Sequence, residues 1–361
     1  MSVARLMQMG TAGVPAGGGS GADFAVVTSF QANSITSVDI SNTSSMSELN
    51  TYSNSTALNS ARRVCIDTTD STAYVVNYTG KSITSIDLSN TSSLSQLATL
   101  VLSTQLNNVI NIAIDVANNV AYCVGGGGLT SIDISNRASL SYLHNITSTE
   151  LASAGAVALD LTNEIAYVSV NSFDGGIVAV DISNPSNLSI SSTFLPTNFY
   201  SPQDISLDAT NEVAYMSSAY ADCIISIDIS NPASMSELSR LVDSTNLDYT
   251  GPIEVDAAND VAYIVSYSNG KLSSIDISNP SSMSISNTIA LMNAYEARHI
   301  RLDTNSNVLY SVGSSIDGIK SVDVSNPASL SVLDTLTNGT NMNGAYGIAL
   351  NLAGPASTRA Y

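Results

Sequence analysis

Apolar residues along this chain fall in short runs broken by clusters of Ser, Thr, Asn and Asp, and the breaks recur at a long, regular interval. The clearest unit is a strand followed by a turn, S-I-D-I-S-N-P-x-S-L-S. Its aspartates are Asp39, Asp87, Asp133, Asp181, Asp228, Asp276 and Asp323, so successive copies lie 48, 46, 48, 47, 48 and 47 residues apart. A second unit, I-x-L-D-x-x-x-x-V-A-Y-V, carries Asp67, Asp115, Asp160, Asp208, Asp256 and Asp303, followed by Tyr74, Tyr122, Tyr167, Tyr215, Tyr263 and Tyr310. A degenerate seventh copy reads Ile348-Ala349-Leu350-Asn351. Each period holds four β-forming runs, as in Ile205–Asp208, Val213–Ser218, Ile224–Ile229 and Met235–Leu241, separated by turn residues. Four short strands in a period of about 40–50 residues predict one propeller blade. Runs such as Ile83, Ile86 and Leu88 place apolar groups on both strand faces, which suits a blade packed between two neighbours.

Seven periods predict an all-β, seven-bladed β-propeller. The first three strands, near Phe24–Val27, Ile35–Ile40 and Met46–Tyr52, have no innermost partner ahead of them, and Gly347–Leu352 supplies one. Blade one is therefore expected to close by pairing the N-terminal and C-terminal strands, which removes an exposed sheet edge. This divides the chain into a Gly-rich arm, residues 1–22, and a propeller, residues 23–361.

The blocks Val180-Asp181-Ile182-Ser183-Asn184-Pro185, Ile227-Asp228-Ile229-Ser230-Asn231-Pro232 and Ile275-Asp276-Ile277-Ser278-Asn279-Pro280 resemble the LVIVD repeat of bacterial and archaeal surface propellers. The I-x-L-D…A-Y-V half resembles the related YVTN propellers. The resemblance implies the fold, together with binding or scaffolding, and carries over no catalytic residues. Thr43, Thr91 and Arg137 depart from it where later blades have Pro. The opening MSVARLMQMG is similar to that of structural proteins of marine tailed phages. That likeness implies a virion setting in which Leu6, Met7 and Met9 dock the arm onto other virion or assembly subunits.

Composition narrows the partners. Eleven Lys and Arg against thirty Asp and Glu give a formal charge of −19, which disfavours nucleic acid and anionic lipid. No apolar run reaches the roughly 18 residues of a membrane helix, and the interrupted N-terminus lacks the core of a secretion signal. A soluble protein with no membrane insertion is expected. Cys65, Cys123 and Cys223 show no CxxC spacing and are read as free, mostly buried thiols.

The repeated aspartates suit capping of the following turn better than calcium, because a calcium loop needs more acidic or amide positions than these turns offer. The repeated tyrosines suit packing between blades. No cofactor, metal or catalytic set is readable from the linear order. A feature shared by all blades belongs to the fold, so recognition is expected where blades differ, in the loops joining strands four to one and two to three. There Arg62, Arg63, Arg298 and Arg301 are expected to gather near the channel as an anion-accepting patch, unless they neutralise nearby acids. Phe199, Tyr200, Tyr249 and Tyr295 are further partner-binding candidates. The resulting expectation is a non-enzymatic virion structural, decoration or adhesion protein, with a possible host-surface ligand. An LVIVD-type scaffold at the cell surface or outside the cell is the alternative, and a channel-site hydrolase or lyase is less favoured for want of a convergent acid, base or metal set.

Overall fold

The structure is a computed structural model that describes residues 23–171, 175–293 and 297–352. Among these residues every regular element is a strand, and the strands form seven four-stranded antiparallel sheets. In six blades the four strands follow in chain order from the axis outward. The innermost strands are β4 (Ala61–Asp67), β8 (Asn111–Asp115), β12 (Ala154–Asp160), β16 (Pro202–Asp208), β20 (Thr250–Asp256) and β24 (Ala297–Asp303). The remaining blade takes its innermost strand, β28 (Ala345–Asn351), from the chain's end and pairs it with β1 (Phe24–Ser29), from Phe24 opposite Asn351 to Ser29 opposite Ala345. Closure is thus as the sequence predicts.

The repeat motifs have visible physical work. All seven S-I-D aspartates cap their turns, each accepting the amide two residues on at 2.8–2.9 Å, as Asp181 does from Ser183. The serine two residues before that aspartate ties each blade to the next. Ser37 donates to the Thr91 carbonyl, Ser85 to Arg137, Ser131 to Pro185, Ser226 to Pro280 and Ser274 to Pro327, and Ser321 to Thr43 completes the circle, all at 2.5–2.6 Å. Blade four has Ala179 at that position, and Ser192 on its outer strand donates to the Pro232 carbonyl instead. The six repeated tyrosines are at most 1% exposed and fill the seams between blades. The hydroxyls of Tyr74, Tyr167 and Tyr263 reach carbonyls at 3.3–3.5 Å. Burial pushes each of these six phenols above its usual range. The three cysteines are buried, and the Cys65 thiol, which donates to the Ile112 carbonyl at 3.2 Å, is pushed up to about 11 by desolvation.

The inner strands carry an irregularity that places several of the sequence's candidate residues. In β4, β12, β16, β20 and β24 the pairing with the second strand shifts register after the first residue, so a bulge spans the next one or two positions. A bulge releases its residues from the ladder and re-aims their side chains. Arg62 and Arg63, Gln203 and Asp204, and Arg298 all occupy these bulges. The amide that the bulge frees is taken up locally, as where Ser217 Oγ accepts the Asp204 N–H at 3.2 Å.

Candidate functional site

Aligning the inner strands on their terminal Asp or Asn puts ionisable residues at two levels round the axis. Arg63, Asp204 and His299 stand at the third position, and Glu254 and Arg301 at the fifth. Arg63, Asp204 and Glu254 are each 8% exposed and His299 is 3% exposed. Charged groups this deep need partners, and the partners come from other blades. The Asp204 carboxylate accepts the amides of Ile205 at 3.1 Å and, in the next blade, of Ile253 at 3.3 Å. Burial pushes its carboxyl above the ordinary carboxylate range, against the opposing pull of the Arg63 and Arg301 guanidinium groups. Arg301 Nη1 donates to Glu254 Oε2 at 3.2 Å across the boundary between blades six and seven. His299 Nδ1 accepts the Ile348 amide at 3.1 Å, which assigns the proton of a neutral ring to Nε2.

The layer above this throat is aromatic. The Arg62 guanidinium sits over Phe30, Tyr78 and Tyr346, with 5.6, 4.1 and 4.9 Å to their ring centroids. Arg298 approaches the same Tyr346 ring at 5.8 Å and donates to Ser314 Oγ at 3.3 Å. On the other side of the mouth, Tyr267 lies 6.1 Å from Tyr249, and Tyr249 lies 5.2 Å edge-on from Tyr220. Within this constellation Arg62 Nε and Arg63 Nη1 are buried and have no hydrogen-bond partner. Such groups cost about 1–3 kcal/mol each until an acceptor arrives.

The four arginines named from the sequence therefore come to one region, but not as an open patch. Arg301 is ion-paired, Arg62 is held by aromatic rings, and Arg63 lies deeper than either of the mouth arginines. Of the four, Arg63 and Arg301 act on the Asp204 carboxylate, and Arg301 also pairs with Glu254. Tyr249 stands at the rim in a left-handed conformation, with its amide held by Asp222 at 2.8 Å. Tyr200 is spent locally, donating to Asn198 at 2.9 Å. Phe199 is a correction: it is fully buried in the seam between blades four and five beneath the Arg240 guanidinium, because folding inward gives its ring more contact than the rim offers. Tyr295, Leu6, Met7 and Met9 lie outside the described residues. Asp204, Glu254, Tyr220 and Tyr267 escaped the sequence reading.

Two cavities of about 260 Å³ and 320 Å³ open on the opposite face, at the repeat's own turns between blades three and four and between five and six. Their lining residues belong to the repeat, so they are products of the fold. Among the described residues no group of three or more His, Cys, Asp or Glu could hold a metal ion.

The sequence profile described as the LVIVD repeat matches residues 23–54, 112–147, 163–195, 220–243 and 254–290. The chain carries LVIVD repeats. No match was found among curated protein sequences. The LVIVD-repeat propeller is similar in structure to the periplasmic gluconolactonase of Pseudomonas aeruginosa, with TM-score 0.74 and 10% identity over 92% of this chain and 99% of that one. A putative 6-phosphogluconolactonase of Bacteroides uniformis gives 0.74 and 9% over 91% and 99%. A functionally unknown protein of Desulfotomaculum acetoxidans gives 0.72 and 14% over 91% and 99%. At these identities the likeness is one of fold. The expectation of a virion structural or adhesion protein is corrected here: three of the solved propellers it resembles bear lactonase names, and no comparison supports virion assembly. The reason for setting aside a channel site fails as well, since a convergent ionisable set is present.

Proposed function

We propose that the throat binds a small carboxylated hydroxy acid and its cyclic ester, a lactone, and hydrolyses the ester. The observation that carries this reading is a buried guanidinium having a spare donor, Arg63 Nη1, close enough to a buried carboxylate of raised pKa, Asp204, to act on its charge. The lactonase names of structurally similar propellers support it. Arg63 supplies hydrogen bonds to the ligand's carboxylate or to the oxyanion formed at its carbonyl. Asp204, poised above the usual carboxylate range, takes a proton from water as the water oxygen bonds to the carbonyl carbon. The ring C–O bond then breaks and the proton passes to the leaving alkoxide, giving the open hydroxy acid. The Arg301–Glu254 pair fixes the adjoining wall and keeps a second positive charge acting on Asp204. The test is hydrolysis of gluconolactone, followed by acid release. The parent protein should exceed the buffer rate, and Asp204→Asn should lose about 100-fold or more. A parent rate no faster than buffer would overturn the catalytic reading.

A further inference from the structure

The mouth holds three tyrosines that the throat chemistry does not use. Tyr220, Tyr249 and Tyr267 descend in a step from the rim toward the axis, with successive centroids 5.2 and 6.1 Å apart. Tyr220 at the outer end is 66% exposed, far above any repeated tyrosine of the fold. Tyr267 at the inner end lies against the inner strand of blade six. A Cβ on Gly251 would come within 2.4 Å of its ring, so that glycine is what lets the ring sit there. The Tyr267 hydroxyl is close enough to Arg63, Arg298 and Asp204 to feel their charges. The series therefore begins in solvent and ends on the acid-binding throat.

We propose that these tyrosines are a stacking platform for a pyranose ring carried by the ligand in the throat, so that the preferred ligand is a glycosylated hydroxy acid and not the free one. The exposed Tyr220 face suits the apolar face of a sugar ring, and the half-buried Tyr249 and Tyr267 continue the slope with hydroxyls that suit its hydroxyl groups. A planar hydrocarbon would match the rings but leave the phenol hydroxyls on this slope unused. The inference rests on the throat reading, and the experiment separates the two.

Gluconate and lactobionate, which is gluconate bearing a galactopyranosyl group, are titrated calorimetrically into the full chain, into Tyr220→Ala and into Tyr220→Phe. Lactobionate should bind the parent about tenfold more tightly than gluconate. Tyr220→Ala should remove that advantage, Tyr220→Phe should keep most of it, and gluconate affinity should be the same in all three. The exposure of Tyr220 makes both variants safe for the fold. Equal affinities of the two acids in the parent, or an advantage that survives Tyr220→Ala, would overturn the platform and leave the throat reading standing. Binding of neither acid would overturn both.

Discussion

Ser85 tests the claim that the ring is laced together by one hydroxyl per blade. Its Oγ is fully buried, donates to the Arg137 carbonyl of the next blade at 2.6 Å and accepts the Ala98 amide of its own blade at 3.0 Å. Ser85→Ala leaves both of those backbone groups short of a partner. At about 1–3 kcal/mol for each buried orphan, the loss should be about 2–4 kcal/mol once some relaxation is allowed. Blade four shows the remedy. There Ala179 stands opposite Ser192, whose hydroxyl reaches the Pro232 carbonyl of blade five. In blade two, Ser85 stands opposite Ala98. The double variant Ser85→Ala, Ala98→Ser therefore rebuilds blade four's arrangement, restores the bond to Arg137 and leaves only the residue 98 amide unmet. It should recover about half of the loss. Urea denaturation of the parent, both single variants and the double variant gives the cycle. A loss below about 0.5 kcal/mol in Ser85→Ala, or additive effects in the double variant, would refute the lacing argument.

Two further outcomes follow from closure and from Asp204. Removing residues 345–361 strips β28 from β1 and exposes what Ile348 and Leu350 cover; at about 1.5–3 kcal/mol for each buried side chain, about 3–6 kcal/mol is lost before strand pairing is counted. The truncated chain should unfold at markedly lower urea or associate through the bare edge, and unchanged monomeric stability would contradict closure. Asp204, with its folded-state pKa raised by burial, adds stability that is complete below the ordinary value of 3.8 and is lost as pH rises through the folded value. The stability of Asp204→Asn relative to the parent should therefore improve between about pH 3 and pH 7, and a pH-independent difference would show that the carboxyl is not perturbed.

The fold was legible because its determinants recur. An aspartate that caps a turn and a tyrosine that fills a seam appear in nearly every blade, and the missing inner strand of blade one has its counterpart at residues 347–352. The candidate site was legible only in part, because what makes it is deviation from the repeat. The four arginines stood out as scarce cations in an acidic chain. Asp204 and Glu254 were lost among thirty acidic residues, although aligning the inner strands on their last residue exposes both, at positions where no other blade has an acidic residue. The tyrosine series could not be read this way, since Tyr220, Tyr249 and Tyr267 come from three loops whose convergence depends on the bulges and on Gly251. Phe199 misled because a loop aromatic at the edge of a seam gains more from the core than from the rim.

Binding of an anionic ligand in the throat depends most directly on Arg63. Calorimetric titration of gluconate into the parent and into Arg63→Met measures this, with circular dichroism confirming that the β-sheet content is retained. Saturable binding of one gluconate per chain is expected, weakened more than about tenfold in the variant by loss of a buried charge-assisted contact. No saturable heat in the parent, or equal affinity in the two proteins, would contradict it.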